Sequence, residues 1–155
     1  MSQRNVYTHG HHESVLRSHT WRTAENSAAY LLDHVVPGTA LLDVGCGPGT
    51  ITIDLAKRVA PGPVVGIDAS APVLEKAARR AEEEACTNVT FRVGDVTHLE
   101  LEDGSFDVVH AHQVLQHLPD PVAALREMRR VCRPGGIVAA RDADYAAMTW
   151  FPEDP

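Results

Sequence analysis

The chain has 155 residues, of which 44% are hydrophobic and 23% charged, and it carries a formal net charge of −7. That is room for one compact domain with a real core and not for two, and it is not the composition of a disordered, collagen-like or membrane-embedded chain. An acidic surface also argues against a general nucleic-acid grip, which needs basic residues to displace counterions from phosphates.

The predicted elements alternate along the chain. Ser14–Val36 places apolar residues near helical spacing (Trp21, Ala24, Ala28, Leu31, Leu32, Val35) and stops at Pro37-Gly38, which predicts a helical N-terminal segment. Leu41–Val44 is a short apolar strand that runs into a glycine-rich turn, and Ile51–Ala60 follows as a helix with Ile51, Leu55 and Val59 on one face. Pro63–Asp68 repeats the strand pattern and Ala71–Ala85 the helix pattern. Val89–Val93 and Phe106–Ala111 are the third and fourth strands. Asp120-Pro121 opens a helix by the N-cap and N1-proline rule, Pro134-Gly135-Gly136 ends it, and Ile137–Ala140 is a fifth strand. Continuous apolar strands between amphipathic helices predict an α/β fold, a Rossmann-like doubly wound and mainly parallel five-stranded sheet covered on both faces.

Three cysteines, Cys46, Cys86 and Cys132, stand far apart and form no CxxC pair, so neither a disulfide framework nor a zinc ribbon is indicated. Reduced thiols and a cytoplasmic location are expected. The opening residues lack the apolar run of a signal peptide, and no apolar stretch is long enough to span a membrane.

In a doubly wound sheet ligands bind at the carboxyl ends of the strands, which singles out the loops 45–50, 68–72, 94–99 and 111–117. The first reads Gly45-Cys46-Gly47-Pro48-Gly49-Thr50. Glycines there allow a tight turn and close approach of a ligand to backbone. A dinucleotide fingerprint counted from Gly45 would put its third glycine at position 50, where Thr50 stands, and no Gly-Lys-Ser/Thr follows. The spacing therefore weakens NAD and a Walker-type nucleotide, and a nucleotide-dependent oxidoreductase stays only as an alternative.

Four ordered motifs make a resemblance specific. Leu41 through Thr50, Val65-Gly66-Ile67-Asp68, Val93-Gly94-Asp95-Val96, and Phe106-Asp107-Val108-Val109 through Leu115-Gln116-His117-Leu118 resemble the motifs of the class I S-adenosylmethionine (SAM) dependent methyltransferases. The likeness is to the small-molecule branch related to the ubiquinone and menaquinone biosynthesis enzymes. Leu125–Gly136 resembles that family's helix and Arg-Pro-Gly-Gly turn. The resemblance implies SAM as cofactor, S-adenosylhomocysteine as product and a small-molecule methyl acceptor. It implies that Gly45, Cys46 and Gly47 offer backbone to SAM, and that Asp68, with Ala69 beside it, accepts from both ribose hydroxyls. Gly94, Asp95 and Val96 would meet the adenine, Asp95 at its amino edge, and the backbone of Ala111 the methionine part. Asp43, at the foot of the loop, either orients the SAM ammonium or braces the loop. Such methyltransferases carry Asn/Asp-Pro-Pro-Tyr after the fourth strand when they act on amino groups of adenine or glutamine; this chain has His110-Ala111-His112-Gln113. His112 is the candidate general base, since an unperturbed imidazole titrates near neutral pH.

The resemblance divides the chain into an N-terminal helical lid, 1–36, a SAM-binding domain, 37–144, and a tail, 145–155. In the lid, Tyr7, His12, Trp21, Arg22 and Thr23 are the candidate pocket residues, with Arg22 suited to the SAM carboxylate. His9, His11 and His12 lack a complementary ligand set, and no metal is expected. The family fold has seven strands, so a fifth strand at the edge implies a homodimer, another partner or further chain to cover it. A SAM-binding module without turnover is the alternative that follows.

Overall fold

The computed structural model describes residues 21–147. Five strands form one sheet, β1 (Leu41–Val44), β2 (Val64–Asp68), β3 (Val89–Val93), β4 (Phe106–His112) and β5 (Cys132–Arg141), in the order β3-β2-β1-β4-β5 with every pair parallel. The chain winds outward from β1 to β3, then returns to the other side of β1 for β4 and β5. The strand order reverses between β1 and β4, and the carboxyl ends there frame the crevice.

Side chains alternate across each strand, so the two faces of the sheet bury different sets. Leu41, Val64, Val108 and Ala139 pack on one face against α1 (Ala24–Ser27), the 3₁₀ segment Ala29–His34 and α2 (Thr50–Val59). Leu42, Val44, Val109 and Ala111 pack on the other against Ala124, Met128 and Val131 of α4 (Pro121–Val131). The amphipathic helix α3 (Ala71–Glu83) lies along β2 and β3, burying Val73, Leu74, Ala77 and Ala81.

Strands β1 to β4 and three of the helices fall where the sequence places them, to within a few residues. The N-terminal segment differs. In place of a continuous helix, Thr23 starts a fresh helix with a reciprocal capping box to Asn26, and Ala28 leaves helical geometry after one turn. Ala24, Ala28, Leu31 and Val35 all stay in the core across the break. Trp21, counted with that inward face, is 68% exposed. The start of the expected helix, 14–20, lies outside the described residues. At the other end β5 begins at Cys132, not Ile137: Phe106 pairs with Cys132 and Val108 with Ile137, so the Arg-Pro-Gly-Gly stretch bulges out within the ladder. Among the described residues no helix is long and apolar enough to cross a membrane.

Candidate functional site

Parallel pairing brings the four inspected loops to one edge of the sheet, and hydrogen bonds tie three of them together. The amides of Gly45 and Cys46 donate to the carbonyl of Ile67 at 2.7 and 3.0 Å, and the amide of Gly94 to the carbonyl of Asp68 at 3.1 Å. Asp68 completes the tie, its Oδ2 accepting from the amide of Gly47 at 3.0 Å and its Oδ1 from the amide of Ser70 at 2.9 Å. A residue two positions before the helix N-cap thus braces the entry to the helix, and the same carboxylate holds the glycine loop. Each oxygen keeps a further lone pair for a ligand hydroxyl.

Gly45 and Gly47 show why this loop needs glycine. Both have positive φ, 66° and 54°. A side chain at Gly45 would run into Val114, whereas above Gly47 nothing lies within 4 Å of where a Cβ would stand. The space over Gly47 is an open cradle above bare backbone. Cys46 is buried, and burial foremost, with Asp43 and Asp68 behind it, pushes its thiol well above the usual range. It therefore packs as a small protonated hydrophobe, offering backbone only.

Asp43 resolves as the brace. It is 3% exposed, and its two oxygens are taken by Thr52 Oγ1 at 2.5 Å and His110 Nδ1 at 2.8 Å. One buried carboxylate thereby joins β1, β4 and the first turn of α2. Asp95 is exposed, with Oδ1 accepting from the amide and hydroxyl of Thr97 at 2.8 and 2.7 Å. Val96 is buried beneath it, and Gly94 crosses tightly over Ile67. Ala69 is exposed just past β2, at the mouth of the cradle. Ala111 sits in the ladder between Val44 and Ala140 with its methyl buried against the α4 side.

The β4 end collects a second group. His112 is half-buried, and burial first, then the charges of Arg22, His110 and Arg141, bring its pKa down to about 4 against a smaller opposing pull from Asp43. This corrects the unperturbed near-neutral imidazole read from the sequence: the ring is neutral at pH 7 but a weak base. Arg22 does reach this end of the sheet, since its charge is felt at His112. Thr23 spends its hydroxyl on the amide of Asn26 as a helix cap, which accounts for it without a ligand. Tyr7, His9, His11, His12 and Glu13 lie outside the described residues, among which no group of three or more histidine, cysteine or carboxylate side chains could hold a metal.

Several contributors have no role assigned in the sequence reading. His110, fully buried, pairs with Asp43; Tyr30 stacks obliquely on it with ring centroids 6.5 Å apart. Arg141 donates to the carbonyls of Asn26 and Ser27 at 3.2 Å each, fastening β5 to the C-terminal turn of α1. Gln116 zips the loop after β4 to the turn after β5: its amide nitrogen donates to Gln113 at 2.9 Å, its carbonyl accepts from the amide of Ala143, and its backbone donates to Asp142. Gln113 itself has φ of 59°, a strained position for a residue with a side chain, held by its bond to the carbonyl of Arg141. The only local signal was the His-x-His alternation, which puts His110 and His112 on one face; the Asp43 pairing requires the register.

Comparison with known proteins agrees with this geometry. A family model described as a methyltransferase domain matches residues 36–154. The chain belongs to that family, the class I SAM-dependent methyltransferases. It is 43% identical over 154 residues to an uncharacterized methyltransferase of Schizosaccharomyces pombe, covering 96% of this chain and 55% of the relative. It is 39% identical over 112 residues to the demethylmenaquinone methyltransferase of Lactococcus lactis, covering 72% of this chain and 44% of that protein. A SAM-dependent methyltransferase from Aquifex aeolicus superposes with a TM-score of 0.68 at 26% identity, over 74% of this chain and 62% of the other. The methyltransferase domain thus spans about half the length of these curated relatives. Membership leaves the oxidoreductase alternative without support.

Proposed function

We propose that this methyltransferase domain binds SAM across the carboxyl ends of β1, β2 and β3 and supports transfer of the sulfonium methyl to a small molecule held beyond β4. The observation that carries the reading is the Asp68 carboxylate, fixed by the amides of Gly47 and Ser70 beside the open space over Gly47. SAM has no phosphate to require a helix N-terminus, and it does have a diol, which a doubly held carboxylate suits.

The residues fit the cofactor. Gly45, Cys46 and Gly47 would hold it by backbone, Asp68 by the ribose hydroxyls with Ala69 alongside, and Gly94, Asp95 and Val96 around the adenine. Ala111 backs the methionine part, and Arg22 pairs with its carboxylate. Asp43 acts at one remove, by keeping β1, β4 and α2 in register. When bound, SAM supplies an already activated methyl group, so the protein's work is to hold an acceptor in line and exclude water.

A small acceptor is supported by the net charge of −7 and by His110-Ala111-His112-Gln113 at the end of β4 in place of an Asn/Asp-Pro-Pro-Tyr segment. The relatives that methylate demethylmenaquinone make a hydroquinone a sensible first probe. Calorimetry with SAM and S-adenosylhomocysteine tests the binding half: a folded protein that takes neither ends the reading. Turnover with labelled SAM against a panel of a naphthohydroquinone, a phenol, a primary amine and a thiol tests the transfer half. A second reading, a SAM-binding module that needs more chain or a second copy for turnover, draws on the length of the relatives. Binding without methylation of any probe would favour it.

A further inference from the structure

Three buried side-chain atoms among the described residues have no hydrogen-bond partner within the protein: His110 Nε2, His112 Nδ1 and Asp142 Oδ2. All belong to the end of β4 and the turn after β5. A buried polar atom left unpaired costs stability, so three together ask for a physical reason.

His110 and His112 alternate along β4 and so project from the same face of the sheet, the face that carries Asp43. Asp43 stands opposite His110 in the register and is held on its other oxygen by Thr52. Because the carboxylate is an acceptor, the bond from His110 fixes the proton of the neutral ring on Nδ1 and leaves a lone pair on Nε2. That lone pair needs a donor. Alternate residues of a strand lie about 6.6 Å apart, a separation that two rings close through one water better than by direct contact. A water donating to His110 Nε2 and meeting His112 Nδ1 would satisfy both atoms, as buried waters do in polar pockets.

We infer that His112, a bridging water, His110 and Asp43 form a proton relay serving a protic methyl acceptor, a hydroxyl or an amine. The inference rests on the methyltransferase reading above. The acceptor's O–H or N–H bond breaks, its electron pair forms the bond to the methyl carbon, the pair of the broken carbon–sulfur bond stays on sulfur, and the proton passes to His112 and inward. His112 alone is a poor end point, because its surroundings disfavour the charged ring. His110 differs in having the Asp43 carboxylate on its Nδ1, an arrangement that orients the imidazole and turns Nε2 to the relay as the acceptor. The other charged or titratable groups facing the pair are Tyr30 from the 3₁₀ segment, Arg22, Arg141 from β5 and Asp142 beyond it.

The test is a crystal structure of the chain with S-adenosylhomocysteine at a resolution that shows waters, with ¹⁵N-histidine spectra of the same complex. The expected result is one ordered water within hydrogen-bond reach of both rings and, at neutral pH, His110 protonated on Nδ1 and bare on Nε2. A dry gap between the rings, or a proton on Nε2, overturns the relay. Calorimetry on the same sample separates the two ideas: failure to bind S-adenosylhomocysteine breaks the methyltransferase reading, while the water and the tautomer remain measurable in the free protein. For any panel acceptor that is methylated, His110→Gln and His112→Gln should each lower kcat about 100-fold with KM for SAM unchanged. The double variant should fall no further than either single one, and additive losses would overturn the relay.

Discussion

At the carboxyl ends of β1 and β2 the polar atoms are already engaged within the protein. Asp68 is held by two amides, Asp43 by a hydroxyl and an imidazole, and the loop amides of Gly45 and Cys46 by a single carbonyl. At β4 and β5, one strand away, His110 Nε2, His112 Nδ1 and Asp142 Oδ2 are buried without partners. The contrast separates a half already engaged within the protein, where the cofactor is proposed to lie, from a half whose remaining partners must come from water or ligand. Preorganised groups do not have to be ordered when the ligand arrives, which suits a cofactor common to a whole family. Groups without a partner in the protein need one from solvent or ligand, and the relay water would supply it to the two histidines. Asp43 belongs to both halves: it holds the glycine loop's strand with one oxygen and sets the histidine tautomer with the other.

The most damaging way to test that division is at their junction. His110→Leu removes the donor to one oxygen of a carboxylate that stays buried, so the domain should lose about 3 kcal/mol of stability, seen in urea unfolding. His110→Gln, which can still donate to Asp43, should recover much of it. If His110→Leu is as stable as the parent, Asp43 is not a brace and the two halves are not joined there.

Asp68→Ala acts on the preformed half alone. It removes both the ribose acceptor and the tie to Gly47, and hydrogen bonds to charged groups contribute about 1.5–3 kcal/mol each, so affinity for S-adenosylhomocysteine should fall about 100-fold. An unchanged Kd by calorimetry would remove Asp68 from the site.

The open half should report itself through pH. His112 has its pKa lowered in the folded state from 6.5 to about 4, chiefly by burial. Between those values the unfolded chain binds a proton that the folded chain resists, so this contribution is fully present above pH 6.5 and is lost as pH falls towards 4. Other groups titrate in the same window, so the informative quantity is a difference. Between pH 7.5 and 4.5 the Tm of His112→Gln should drop by about 4 °C less than that of the parent, for roughly 1 kcal/mol after allowing for the ring's partial exposure. Equal drops would mean that His112 sits in an ordinary solvated environment.

The sheet was legible in the sequence because its signals are local: apolar runs four to seven residues long, helix faces, and turn residues between them. Asp68 and the glycine loop were legible for the same reason, since motif spacing within one strand and turn places them. The N-terminal helix was overextended because periodicity records which residues face inward and not whether the backbone between them is continuous; Ala24, Ala28, Leu31 and Val35 are inward across a break. The role of Asp43 and the partnership of His110 depend on β1 and β4 lying side by side, 67 residues apart in sequence. No window of sequence contains that pairing. The low pKa of His112 likewise comes from tertiary placement, burial first and then the charges of Arg22 and Arg141, which lie at opposite ends of the described chain.

Asp95 offers the finest test of the preformed half, because its two oxygens have different duties. Oδ1 caps the turn through the amide and hydroxyl of Thr97, a short-range arrangement that any acceptor at that position could serve. Oδ2 is the atom that, on the proposed reading, would face an adenine amino group. Asp95→Asn keeps an acceptor for Thr97 and turns the other position from an acceptor into a donor, which opposes the amino group rather than receiving it. Stability should be unchanged, and affinity for S-adenosylhomocysteine should fall about threefold, the loss of one exposed hydrogen bond. Affinity for S-inosylhomocysteine, whose ring carries a carbonyl in place of that amino group, should not fall and should approach the affinity for the natural product. A parallel loss with both ligands would mean that Asp95 only shapes the turn, and that adenine is held by the backbone around Val96.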